Sequence, residues 1–197
     1  MPKSAGSFSS EQFKDIKSKI FLVNASVRDE FKIQTLIDLE KKRSLIGIDL
    51  QGFIRTLDKK NILVNSLWNE KKEALELTHY LKADGVEAEF LTGESDLISA
   101  AKILKSFGPK EVIITHKNGV LIYDGKNIYQ EPFILDKIIG RSGRGDTCGA
   151  SYVYKRLSLE PKEAIKWAAA ATSLKMESDT PLKNTYKEIE QRVQQYS

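Results

Sequence analysis

What this chain lacks narrows it first. Its one cysteine, Cys148, excludes an internal disulfide and fits a reducing cytoplasm. With only two histidines, His79 and His116, a structural zinc site is excluded as well. No run is long and apolar enough to span a bilayer, and residues 1–10 are small and polar, without the apolar core of a secretion signal. No two of the 12 glycines are adjacent. Nor does Gly-x-x-x-x-Gly-Lys-Ser/Thr occur, so this is not a P-loop protein. Charge of one sign is not massed either: the net charge is +4, and clusters such as Lys41-Lys42-Arg43 read as solvated helix faces. Neither a nucleic acid nor a membrane is therefore expected as a partner.

What remains is a chain of 197 residues, 41% hydrophobic and 29% charged, which suits one soluble domain with a sizeable core. Residues 1–9 read as a flexible leader and 10–197 as a single domain. Ser9 with Gln12 forms a capping-box pattern for a short helix. The apolar run 20–23, a helical pattern over 29–42 and the strand 45–50 make a βαβ unit, hence a parallel sheet. A short strand at 61–66 and a helix over 69–80 follow. A helical turn closes near Gly93, and Ser95 caps a helix over 96–106. Val112-Ile113-Ile114-Thr115 reads as a central strand. The segments 120–123 and 127–133 follow with connections so short that they must pair antiparallel. Helices over 164–176 and from Pro181 to about residue 195 complete an α/β layered domain. Asp49, Asp84, Thr115 and the turn at Gly143 all follow strand candidates, at the carboxyl ends where such sheets build their sites.

The densest chemistry lies in Gly140-Arg141-Ser142-Gly143-Arg144-Gly145-Asp146-Thr147, ahead of the helical run 148–157. Glycines let the backbone turn and let a ligand approach closely. The first amides of a helix lack partners within it, and the dipole there is positive, so the turn is suited to a phosphate. An acid at that mouth repels an anion. Two readings of Asp146 stand side by side: a base that takes a proton from an attacking hydroxyl, or an ordinary N-cap.

Ser142-Gly143-Arg144-Gly145-Asp146-Thr147, with Gly149-Ala150-Ser151-Tyr152 after it, resembles the C-terminal signature of the PfkB/ribokinase family of carbohydrate kinases. The resemblance implies a three-layer αβα fold, its parallel central sheet carrying antiparallel edge strands. It implies Asp146 as catalytic base and an anion hole at Gly143, Arg144 and Gly145, with Arg144 where the family usually has a small residue. Asp84-Gly85-Val86-Glu87 stands in the place of the family's Asn-x-x-Glu, which implies Glu87 and Asp84 as magnesium-ordering carboxylates. Taken alone, the same residues are a helix cap and a solvated acid. Thr115-His116-Lys117-Asn118-Gly119 corresponds to the family's nucleotide loop, one residue short and without its first glycine. Thr115, Lys117, Gly119 and Arg141 are thereby implied in nucleotide or phosphate binding, although Asn118-Gly119 is equally a hairpin turn. Ala169 occupies the position of an Asn that faces the nucleotide in ribokinases.

The resemblance begins near Phe21-Leu22-Val23-Asn24, without the family's N-terminal Gly-Gly and lid segments, so an N-terminally truncated fold is expected. The implied function is transfer of the ATP γ-phosphoryl to a sugar or nucleoside hydroxyl, with magnesium, at weak or absent turnover in this short chain. The alternative is a non-catalytic nucleotide-binding or scaffold module derived from such a kinase. A cytoplasmic homo-oligomer is expected, because the strand at 20–23 is left as a sheet edge.

Overall fold

The computed structural model of the protein describes residues 6–196. After one 3-10 turn at Ser10–Phe13, the chain forms β1 (Ile20–Val23), α1 (Ile33–Glu40), β2 (Leu45–Asp49) and the single-turn α2 (Gln51–Ile54). The strands β3 (Arg55–Leu57) and β4 (Leu63–Asn65) follow, then α3 (Lys71–Glu76), β5 (Tyr80–Asp84), α4 (Gly85–Thr92) and α5 (Leu97–Ser106). The chain closes with β6 (Glu111–Thr115), β7 (Gly119–Tyr123), β8 (Ile128–Pro132), α6 (Arg144–Arg156), α7 (Pro161–Met176) and α8 (Tyr186–Val193). Among the described residues no helix is long and apolar enough to cross a membrane.

Six strands form the main sheet in the order β1-β2-β5-β6-β7-β8, and β3 pairs with β4 as a separate antiparallel ribbon. The first four strands are parallel. β7 and β8 add antiparallel, as their short connections require. Every residue of β6 is buried, as expected of a parallel strand covered on both faces. Strand side chains alternate between two cores. Val112, Ile114 and Leu121 join a layer that includes Leu36, Leu104 and Trp68, where Trp68 lies 4.9 Å from the Phe53 ring. Ile113, Val120 and Ile122 face the other way, onto Tyr152, Ile165 and the alanines of α7. On that second side Trp167 packs 4.8 Å from the ring of Tyr186, with the Lys155 ammonium 3.1 Å from the indole centroid.

The structure differs from the sequence reading in several places. Residues 1–5 of the expected leader lie outside the described residues, but Phe8 is tied down. Its amide donates to the Glu30 carbonyl at 2.7 Å, it bridges to Phe31, and its ring lies 6.2 Å from both Phe13 and Phe31. The expected helix over 69–80 ends at Glu76, and Tyr80–Asp84 is a central strand between β2 and β6. The turn α2 and the strand β3 have no counterpart in the sequence reading; the other elements match to within a few residues, and β1 is the end strand of the sheet, as expected.

Candidate active site

The turn entering α6 is built around Gly143, which takes φ +77, a left-handed conformation that L side chains rarely adopt. The Arg144 amide donates back to the Arg141 carbonyl at 3.2 Å, and Gly143 itself holds the N-cap position with no side chain to offer. Asp146 is therefore the third residue of the helix, not its cap. Its Oδ1 accepts a hydrogen bond from Asn24 Nδ2, just past β1, at 2.7 Å. The N-cap reading of Asp146 is thus excluded by position.

Beneath the turn lies a buried charge cluster that the sequence reading had not assembled. Lys82, inside β5, places its Nζ 2.8 Å from Asp49 Oδ2 and 4.0 Å from Glu87 Oε2. Burial by itself pulls the Lys82 proton affinity down. Asp49, then Glu87, more than offset this and hold it above the ordinary lysine value. A Cβ on Gly145 would lie 2.6 Å from that ammonium, so only glycine lets the helix start close over it. Parallel register sets Asp49 directly beside Lys82 on adjacent strands.

A polar cavity of about 290 Å³ opens at this mouth, lined by Gln51, Lys82, Asp84, Thr115, Arg141, Ser142 and the 143–146 turn. A narrow crevice on the other side is lined by Leu22, Asn24, Asp49, Lys82, Gly145, Asp146 and Gly149. Lys82, Gly145 and Asp146 belong to both, so they mark the crossing between the two spaces. The predicted convergence of Asp49, Asp84, Thr115 and the Gly143 turn is what the fold delivers.

The other expected site residues divide. Thr115 is buried and lines the cavity, as do Arg141 and Arg144, and burial followed by the nearby Arg144 charge pushes the His116 proton affinity down. Lys117 is exposed in the β6–β7 turn and outside the cavity lining. Gly119 opens β7, where a Cβ would run into the β8 backbone at Glu131, which gives this glycine a strand-packing role. Ala169 is buried in the core of the α6–α8 layer. Cys148 is buried too, and that burial pushes its thiol up to about 11.

Asp84 and Glu87 close a capping box at the start of α4. Asp84 Oδ1 accepts from the Glu87 amide and Glu87 Oε2 from the Asp84 amide, both at 2.8 Å. The second Glu87 oxygen faces Arg55 at 3.3 Å. Each Glu87 oxygen thus holds one partner, which fixes the orientation of the carboxylate at the start of α4. Among the described residues no group of three or more His, Cys, Asp or Glu is arranged to hold a metal ion. Asp84 still lines the cavity.

The sheet with its antiparallel edge and the glycine turn at a helix mouth over a strand-end cavity together define a ribokinase-like α/β fold. The family model described as pfkB family carbohydrate kinase matches residues 48–183, and the chain belongs to that family. A cytidine kinase of Thermococcus kodakarensis is 36% identical over 70 residues, 34% of this chain and 25% of that protein. The match thus spans about a quarter of that curated relative. Among solved structures, a pyrophosphate-dependent myo-inositol-1 kinase converted to a myo-inositol-3 kinase by two substitutions superposes with a TM-score of 0.90 at 32% identity. That superposition covers 100% of this chain and 69% of the other. A pyrophosphate-dependent kinase in the ribokinase family, complexed with a pyrophosphate analog and myo-inositol, gives 0.89 at 33% identity over 96% of this chain and 69% of that one. Arabidopsis thaliana ribokinase, at 19% identity and a TM-score of 0.71 over 89% of this chain and 56% of that one, shares the fold.

Proposed function

We propose that this chain carries the donor site and the catalytic base of a phosphotransferase that moves a terminal phosphoryl group to an alcohol hydroxyl. The observation that carries this reading is Asp146. It sits at the crossing of cavity and crevice, free of any capping duty, beside the glycine turn and above the Lys82 ammonium. The donor's terminal phosphate occupies the polar cavity against the 143–145 amides, with Arg141 and Arg144 countering its charge. In the crevice, Asp146 accepts the proton of the acceptor hydroxyl as that oxygen bonds to phosphorus. The bond from phosphorus to the bridging oxygen breaks, and the electron pair leaves on the departing phosphate. Charge spreads over the transferring oxygens, where preorganised donors are worth about 3 kcal/mol each. Lys82 adds a full cation there. The acceptor is a sugar, nucleoside or cyclitol hydroxyl, and magnesium arrives with the donor as part of the substrate.

ATP is the donor that membership of the family implies. A specific observation favours inorganic pyrophosphate as a second reading. Two solved structures whose descriptions name a pyrophosphate-dependent kinase resemble this chain over 96–100% of its length at 32–33% identity. Consistent with this, the expected adenine-side position Ala169 is buried in the core and Lys117 is outside the cavity lining. The test is thermal denaturation with magnesium-ATP, magnesium-pyrophosphate and phosphate. It is followed by assays of ADP or phosphate release against myo-inositol, pentoses and nucleosides. Stabilisation by one donor and acceptor-dependent turnover support the reading, since a ligand that binds only the folded state must raise its stability. No shift with any donor at millimolar concentration overturns it and leaves the scaffold module as the better account.

A further inference from the structure

We propose that Asn24 is a positioning residue for the base: it fixes the Asp146 carboxylate so that one oxygen faces the acceptor hydroxyl. This rests on the reading of Asp146 as base given above. The contact joins residues far apart in sequence, from the end of the first strand to the first turn of α6, at 2.7 Å. Both side chains are solvent-exposed, and a hydrogen bond in water adds little to stability. Its worth therefore lies in geometry.

Asn24 is held on both sides. Val23 is buried and registered against Ile48 in the sheet. Ala25 is buried against Gly52, where a Cβ would stand 2.6 Å from both the Ala25 Cβ and its carbonyl oxygen. The Ser26 amide beyond them is tied to Glu30 Oε2 at 2.8 Å. The backbone that presents the Asn24 amide is thus anchored by close packing that leaves no room for a larger residue at position 52. With Oδ1 engaged by Asn24, Oδ2 is left free over the turn, 3.8 Å from where a Gly143 Cβ would be, at the crossing of crevice and cavity where hydroxyl and phosphate would meet. A neutral amide suits this task. It orients the carboxylate through one N–H, whereas a lysine or arginine would compete as a full counter-charge for the oxygen that must accept a proton.

The experiment compares Asn24→Ala, Asn24→Asp and Asn24→Gln with Asp146→Asn in donor–acceptor turnover, or in donor hydrolysis where no acceptor is taken. Asn24→Ala should lower kcat by roughly tenfold to a hundredfold, the scale of a misplaced catalytic group, with donor KM within about twofold. Asn24→Asp, with two carboxylates face to face, should lose more. Asn24→Gln should recover part of the rate by restoring an amide donor. Equal kcat for wild type and Asn24→Ala, with Asp146→Asn inactive, overturns the inference and leaves the base intact. An Asp146→Asn variant at full rate overturns the base reading itself. A readout independent of turnover is the Asn24 side-chain amide resonance in a 1H–15N NMR spectrum. It should move when Asp146 is changed to Ala, and an unchanged resonance also overturns the inference.

Discussion

Lys82 Nζ stands 2.8 Å from Asp49 Oδ2, and the two side chains are only 7% and 4% exposed. They are register partners on adjacent parallel strands, so the pair spans the middle of the sheet at its carboxyl end. The ammonium is thereby held under Gly145, where in the proposed reaction it would face the donor phosphate. Replacing Lys82 by Met should strand a buried carboxylate and cost about 3–5 kcal/mol of stability. Removing both charges in Lys82→Met/Asp49→Leu should restore much of that loss while leaving donor binding poor. Urea denaturation of the two single variants and the double variant checks this. A double variant whose loss is the sum of the singles would show that the charges are not coupled.

Asp146→Asn and Gly145→Val should fail in different ways. The first removes the proposed base and should lower transfer by about 10²–10⁴-fold, with nucleotide or pyrophosphate affinity kept or slightly raised. The second forces carbon into the 2.6 Å gap above Lys82 and should weaken donor binding and cost about 1–3 kcal/mol. Thermal shift with and without donor separates the two. Unchanged transfer in Asp146→Asn would remove the acid from the mechanism.

His79 is a pH-sensitive point in the fold. Its Nδ1 accepts from the Ile46 amide at 3.2 Å, a role open only to neutral imidazole. Burial, followed by the Lys110 charge, lowers its proton affinity below the ordinary 6.5. As pH falls, the unfolded chain takes up this proton first, so the His79 contribution is complete above about 6.5 and declines below it. The melting temperature should therefore drop between neutral pH and about pH 5, and less so in His79→Gln. His116, also lowered by burial, calls for a matching His116→Gln control. Identical slopes for wild type and His79→Gln would exclude His79 as the sensor.

β1 ends the sheet, with Leu22 on it 37% exposed, beside an apolar hollow of about 460 Å³ lined by Phe8, Phe13, Phe21 and Phe31 among others. An open edge next to apolar surface favours pairing with a second copy. Light scattering should show mass rising with concentration, and Leu22→Lys should suppress it. A strict monomer at every concentration contradicts this.

Much of this was legible in the sequence because local rules and global fold agree there. The Gly143 turn, the C-capping Gly93 and the all-apolar centre of β6 each signal themselves within a few residues. β5 did not. Its Tyr-Leu-Lys-Ala-Asp run carries a lysine in mid-strand, which breaks the apolar pattern of a buried parallel strand and reads as the end of a helix. The lysine is tolerated only because Asp49 arrives beside it through tertiary pairing, and no local window contains both. Asn24 was hidden for a similar reason, since its partner lies at the other end of the chain. Asp84 and Glu87 show the converse: their spacing was plain within four residues, and it forms a capping box with Arg55 beside Glu87.

Each of the two helical layers carries its own tryptophan, Trp68 against Phe53 on one side of the sheet and Trp167 beneath the Lys155 ammonium on the other. The molecule therefore contains a pair of intrinsic fluorophores, one per layer, with the Lys155 ammonium over Trp167. Trp68→Phe and Trp167→Phe would each leave a single emission signal. The order in which the two signals change in denaturant would tell whether the layer of α6, α7 and α8 comes away alone or with the rest of the sheet.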